Sequence, residues 1–217
     1  MREQIIQKIL DKKLVAIVRG LYGQDCVALA EALYAGGIAL LEVTFDQKDP
    51  EGPQKTADTI SLLCEKMAGK MDIGAGTVTS VALMEIARKA GAKFIISPDM
   101  NPEVIRATVA AGMVSMPGAM TPTEILQAHN AGADFVKVFP TSGLGAGYIK
   151  AVAAPLNHVR LLAVGGVNEK NIGEFLKAGA VGAGVGGNLV NKALVAAGEF
   201  QKITALAKEF VAACNEK

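Results

Sequence analysis

The chain has 217 residues, of which 51% are hydrophobic and 20% charged, with a formal net charge of +1. That balance excludes an acidic tail, a basic nucleic-acid groove and disorder, and no uninterrupted apolar run reaches the roughly 20 residues of a membrane span. The length suffices for one substantial core, and the three separated cysteines, with no Cys-x-x-Cys spacing, read as reduced thiols of a cytoplasmic protein.

In chain order, the charges between Met1 and Lys13 follow a helix-like pattern unlike a signal peptide, and a helix is expected near Glu3 to Leu10. A short phrase then recurs. Ala35-Gly36, Ala90-Gly91, Ala111-Gly112, Ala131-Gly132 and Ala178-Gly179 each close a helical stretch and precede an apolar or β-branched run. Glycine after a helix and before a strand marks an αβ junction. Strands are predicted near Leu14 to Val18, Ala39 to Thr44, Met71 to Ala75, Phe94 to Ser97, Val114 to Pro117, Asp134 to Phe139, Val159 to Val164 and Val181 to Val185. Helices separate them, with caps legible at Asn101 before Pro102 and in Thr121-Pro122-Thr123-Glu124, and a long last helix runs through Thr204 to Ala213.

Eight strand-helix units of about 25 residues, with near-continuously apolar strands and no linker, predict an α/β fold: a single (β/α)₈ TIM barrel over residues 1–217 with an extra N-terminal helix. The alternative, a doubly wound open sheet, lacks its Gly-x-Gly-x-x-Gly signature after the first strand, where the chain reads Arg19-Gly20-Leu21-Tyr22-Gly23. Barrel enzymes place their chemistry at the C-terminal strand ends. The polar residues falling there are Arg19, Glu42, Thr44, Thr77, Ser97 and Lys137, together with the glycines after the last two strands.

Lys137 interrupts an apolar strand and has Phe135 and Phe139 two residues to either side, on the same face of an extended chain. Desolvation disfavours the charged form of lysine, and a free amine is what attack on a carbonyl requires. A lysine at a strand end whose stem packs while its nitrogen reaches water is the alternative. Glu42, in Leu40-Leu41-Glu42-Val43-Thr44, is either a proton shuttle for imine chemistry or a structural partner for a lysine. The turn Gly74-Ala75-Gly76-Thr77 allows a backbone to approach a ligand and offers a hydroxyl. Gly165-Gly166 and Gly186-Gly187-Asn188 fall where barrels often hold phosphate on backbone N–H groups, helped by a short helix expected to begin near Asn188. Rim packing is the other reading of these glycines. His129 and His158 are isolated in sequence, so a histidine-rich metal centre or a Ser/His/Asp triad has little material, and no metal or cofactor is expected.

Taken in order, Val15-Ala16-Ile17-Val18-Arg19-Gly20, Leu41-Glu42-Val43-Thr44, Gly74-Ala75-Gly76-Thr77-Val78, Ser97-Pro98, Thr121-Pro122-Thr123-Glu124, Lys137-Val138-Phe139-Pro140 and Gly165-Gly166-Val167 span nearly the whole chain. Jointly they resemble the bacterial 2-keto-3-deoxy-6-phosphogluconate (KDPG) / 4-hydroxy-2-oxoglutarate (KHG) aldolase family. The resemblance implies a metal-free class I aldolase that cleaves a keto acid to pyruvate and an aldehyde, usually as a homotrimer. It implies Lys137 as Schiff-base nucleophile, Glu42 as general acid/base, Thr77 at the pyruvate carboxylate, Arg19 on the substrate, and Gly165 and Gly166 facing phosphate. Phe139, Pro140, Gly186, Gly187 and Asn188 complete the expected substrate site.

The chain departs from that pattern in three places. Asp46 stands where many members carry a carboxylate-binding arginine, Val164 where many have threonine, and Gly187 where a phosphate-binding serine is usual. Valine before the paired glycines is closer to the 6-phosphogalactonate branch. A metal-dependent aldolase or phosphosugar isomerase on the same fold, and a noncatalytic sugar-phosphate-binding barrel, are the competing readings.

Overall fold

The computed structural model describes residues 2–216. Met1 and Lys217, which the one-domain expectation included, lie outside the described residues. The elements run α1 (Arg2–Lys12), β1 (Leu14–Val18), α2 (Gly23–Ala35), β2 (Leu40–Thr44), α3 (Gly52–Lys66), β3 (Asp72–Gly76), α4 (Val81–Lys89), β4 (Phe94–Ile96), α5 (Pro102–Ala110), β5 (Val114–Met116), β6 (Gly118–Ala119), α6 (Pro122–Asn130), β7 (Val136–Val138), α7 (Gly145–Ala153), β8 (Leu161–Val164), α8 (Ile172–Lys177), β9 (Gly182–Val185), α9 (Lys192–Ala196) and α10 (Phe200–Ala213). Among the described residues no helix is long and apolar enough to cross a membrane.

All strands are parallel and form one sheet in the order β5-β4-β3-β2-β1-β9-β8-β7-β6. The expected fifth strand, Val114 to Pro117, is two segments in the structure. Proline has no N–H to give a ladder, so the stave breaks at Pro117. β5 pairs with β4 before the break and β6 pairs with β7 after it, and the Pro117 carbonyl accepts from Lys137 N at 2.8 Å. The ring therefore closes through one broken stave, and the eight-stave barrel stands with nine strand segments.

Other boundaries shift for local reasons. The strand expected from Asp134 starts at Val136, because the N–H groups of Asp134 and Phe135 both turn to the Ser115 carbonyl. The last helix begins at Phe200, earlier than Thr204. No helix begins at Asn188: a turn closed by Leu189 N and Val190 N on the Gly186 carbonyl comes first, and α9 starts at Lys192. At the first αβ junction it is Gly37, with φ 98°, and not Gly36 that takes the left-handed conformation. The caps fall as expected: Asn101 accepts from Glu103 N and Val104 N, and Thr121 and Glu124 form a reciprocal capping box.

Strands that look uniformly apolar in sequence alternate in space. Leu14, Ala16, Leu41, Val43, Ile73 and Ala75 pack outward under the helices, while Val15, Leu40, Phe94, Val114, Phe135 and Leu162 fill the lower interior. Ile5, Ile6 and Ile9 of α1 join this inner cluster and close the barrel base. Complete burial of each such side chain contributes about 1.5–3 kcal/mol. Glycines on β3 and β9 make room for the larger residues. A Cβ on Gly74 would stand 2.1 Å from the Phe94 ring, and one on Gly184 would meet Val164 and Ile17 at 3.0 and 3.1 Å.

Candidate active site

Above the apolar lower layer the barrel opens into a cavity of about 820 Å³ at the C-terminal ends of the strands. Its wall includes Arg19, Glu42, Thr77, Lys137, Phe139, Gly165, Gly166, Gly186, Gly187 and Asn188. Of the expected site residues Pro140 alone is not in that wall. It packs behind it, its Cα 3.4 Å from the position a Cβ on Gly165 would take.

Lys137 lies in the middle of β7, on the inner face, only 7% exposed, with Nζ 4.5 Å from the centroid of the Phe139 ring. Burial pushes its pKa down, the nearby Glu42 carboxylate pulls it back up, and the Arg19 guanidinium adds to the lowering. Glu42, 2% exposed in β2, shows the mirror image: burial raises its pKa, and Lys137 and Arg19 oppose the rise. Its Oε2 has no hydrogen-bond partner. Burial thus pushes each member of this pair toward its neutral form, against the pull of the opposite charge beside it.

The neighbouring strand is shaped around Glu42. A Cβ on Gly76 would stand 1.7 Å from Glu42 Oε1, so glycine there is a steric requirement of the carboxyl group. The next residue, Thr77, holds φ at 58°, in the left-handed region that a β-branched side chain rarely adopts. Gln47 Nε2 donates to the Thr77 carbonyl at 3.0 Å and holds this turn. Two other strand-end hydroxyls have local settings: Ser97 Oγ donates to the Val78 carbonyl at 2.7 Å, and Thr44 Oγ1 is buried and unpaired. Asp46 is exposed, its carboxylate closes a turn by accepting from Lys48 N, and it is not part of the cavity wall.

The glycine loops have their carbonyls tied back. Thr141 Oγ1 donates to the Gly165 carbonyl, Asn171 Nδ2 to that of Gly166, and Asn188 Nδ2 to that of Val167, linking the loops after β8 and β9. Gly165 and Gly166 sit at φ 101° and 75°. Among the described residues, the N–H groups of Gly165, Gly166, Gly186, Gly187 and Asn188 donate to no protein acceptor. Carbonyls held back and N–H groups left free is the arrangement of an anion-binding nest.

Among the wall residues that sequence reasoning left out of the site are Ile17, Pro98, Val190 and Lys192, while Val164 was singled out only as a departure from the family pattern. The apolar ones carry no chemical signal in sequence. Lys192 carries one, a cation directly after the capping Asn191, but it lies well beyond β9 and only the turn between brings it back to the mouth. No group of three or more His, Cys, Asp or Glu side chains gathers into a metal-ligand set among the described residues.

The KDPG and KHG aldolase model matches residues 5–206. A curated relative, the 2-dehydro-3-deoxy-6-phosphogalactonate aldolase of Escherichia coli (strain K12), is 35% identical over 177 residues, 81% of this chain and 83% of its own. KDPG aldolase from Legionella pneumophila, solved with pyruvate captured at low pH as a covalent carbinolamine intermediate, superposes with a TM-score of 0.83 at 27% identity, covering 94% of this chain and 96% of its own. A further solved chain, part of a cube-shaped protein cage designed by fusing symmetric oligomeric domains, gives a TM-score of 0.83 at 33% identity, covering 93% of this chain and 71% of its own. The chain carries its facing lysine and glutamate in the barrel mouth, matches the family model over most of its length, and belongs to the KDPG and KHG aldolase family, whose members are carbon–carbon lyases.

Proposed function

We propose that the protein is a class I pyruvate aldolase in which Lys137 is the nucleophile and Glu42 the general acid/base. It reversibly cleaves a 2-keto-3-deoxy-6-phospho sugar acid (or 4-hydroxy-2-oxoglutarate) to pyruvate and an aldehyde such as glyceraldehyde 3-phosphate. The observation that carries this reading is the pair itself: a lysine and a glutamate buried in the wall of one cavity, with Glu42 Oε2 lacking any hydrogen-bond partner and burial pushing both groups toward their neutral forms. Ion-pair scaffolding would bias both toward charge.

The reaction begins from a free amine and a protonated carboxyl, the forms that burial favours. The free Lys137 amine adds to the C2 carbonyl, a proton passes from nitrogen to oxygen, and a carbinolamine forms. The protonated Glu42 gives its proton to the departing hydroxyl, so water leaves and an iminium remains. The Glu42 carboxylate then takes the proton of the C4 hydroxyl; the C3–C4 bond breaks, its electron pair enters the iminium, and the aldehyde departs from an enamine. Glu42 returns that proton to C3, water adds to the new iminium while the Glu42 carboxylate takes up the proton released, and the carbinolamine collapses to pyruvate and the free amine. Thr77 and Arg19 hold the keto-acid end. The unpaired N–H groups of the two glycine loops hold the phosphate end, since neither Val164 nor Gly187 brings a side-chain hydroxyl.

The reading extends to a single barrel domain acting as a cytoplasmic homotrimer. Its support is the family resemblance, the symmetric oligomeric domains of the designed cage, and three free cysteines suited to a reducing compartment. Light scattering at micromolar concentration giving a 22.5 kDa particle refutes the trimer. The test of the mechanism is covalent: pyruvate with borohydride adds one reduced pyruvyl group, and peptide mapping finds it on Lys137. An unmodified intact mass sinks the Schiff-base reading.

A further inference from the structure

Two cations at the cavity mouth are engaged by no carboxylate: neither Arg19 nor Lys192 takes part in any ion pair among the described residues. They stand at different depths. Arg19 is close enough to the floor to act on both Glu42 and Lys137, whereas Lys192 is not among the groups that perturb either. Lys192 occupies the rim, at the first position of α9, where Asn191 caps the helix by accepting from Ala193 N and Leu194 N. Its Nζ lies 3.1 Å from where a Cβ on Gly20 would stand. The ammonium therefore rests on bare backbone immediately after Arg19.

On the same stretch of rim are the free N–H groups of Gly165, Gly166, Gly186 and Gly187. β8, β9 and β1 are neighbours in the sheet, so these donors and Lys192 form one arc beside the Lys137 stave. Backbone amides orient an anion but bring no net charge; an ammonium does. A phosphate monoester carries close to two negative charges at neutral pH.

We propose that Lys192 is the specificity-determining side chain for a substrate whose far end is a phosphate ester. The assignment rests on the phosphorylated-substrate reading above and gives it a charged side chain that the sequence pattern did not supply. Its test compares kcat/KM for a 6-phosphorylated 2-keto-3-deoxy acid with that for the unphosphorylated counterpart, in the wild type, Lys192→Gln and Lys192→Arg. In Lys192→Gln the preference for the phosphorylated acid falls about ten- to a hundredfold, the size expected on losing a hydrogen bond between charged groups, and the loss appears in KM more than in kcat. Lys192→Arg keeps most of the preference, and added salt narrows it in the wild type more than in Lys192→Gln. Inorganic phosphate, as a competitive inhibitor, binds the wild type more tightly than Lys192→Gln. Borohydride trapping of pyruvate on Lys137 reports that the reacting end of the variant is intact. If the wild type prefers the phosphorylated acid and Lys192→Gln keeps that ratio, or loses both substrates equally, the Lys192 assignment is overturned and the phosphorylated-substrate reading stands. If the wild type shows no preference, both fall.

Discussion

The two ends of the barrel treat buried charge in opposite ways. At the base, Asp72 is met by Lys8 of α1 and by Lys93 at 2.6 Å, and Asp134 takes Arg2 at 2.7 Å and Ser115 N at 2.9 Å. Burial raises the Asp72 pKa, yet the Lys8 and Lys93 ammonium groups in contact with it outweigh that and hold the carboxyl below its usual range. At the mouth, Glu42 and Lys137 are buried without such partners, and burial wins. The base uses charge to fasten α1 under the barrel. The mouth keeps its charge-bearing groups unsatisfied, which costs stability and leaves them able to react.

The hardest test of that contrast is at Lys137. Lys137→Arg keeps a cation but cannot form an imine, so activity is lost almost entirely and no borohydride adduct forms, while the circular dichroism spectrum is retained. Residual activity near the wild-type level removes Lys137 from the mechanism.

Glu42→Gln separates reactivity from stability. Turnover falls about 10²- to 10⁴-fold, as for loss of a general acid/base, with the pyruvate adduct still trappable. Stability moves the other way. Because the Glu42 pKa is raised in the native state, its contribution is full below the ordinary carboxylate pKa and declines as pH rises and the unfolded chain ionises first. Removing the carboxyl abolishes that decline, so at neutral pH the variant melts higher than the wild type. A lower Tm at neutral pH, rising again in acid, is the opposite outcome and makes Glu42 a structural carboxylate.

Gly76→Ala attacks the same group through space. The new methyl must displace a carboxyl oxygen 1.7 Å away, and misplacing a reacting group by about 1 Å costs on the order of 10²-fold in turnover, with an overpacking penalty of about 1–3 kcal/mol. Unchanged kinetics shows that Glu42 has a second productive position.

The smallest kinetic effect belongs to the base. Asp72→Asn loses about 2 kcal/mol, the worth of a hydrogen bond to a charged group, and leaves kcat unchanged. The lowered Asp72 pKa means that its stabilisation is present above the ordinary carboxylate range and disappears as pH falls through the depressed native value. Acid titrations of Tm therefore converge for wild type and variant at low pH and separate near neutrality. A kcat that drops with Asp72→Asn links the two ends and breaks the comparison.

Much of this molecule was legible in its residues one at a time. The αβ glycines, the Asn101 and Thr121 caps, the run of apolar strands, and the presence of Lys137 and Glu42 within two of those strands are local signals, set by backbone dihedrals and desolvation. Three things came only with the tertiary structure. The break at Pro117 depends on which neighbour each half of the stave pairs with. The burial of Gly76 beneath Glu42 depends on the Glu42 side chain reaching diagonally across the β2–β3 pair, where Gly76 is the register partner of Thr44, and glycine in sequence reads equally as a turn or a cleft. Lys192 reaches the mouth only through the turn after β9. Local sequence sets which conformations and charges a segment favours, but contacts between residues far apart in the chain exist only once the barrel closes, and they decide whether a buried charge is paired or left to react.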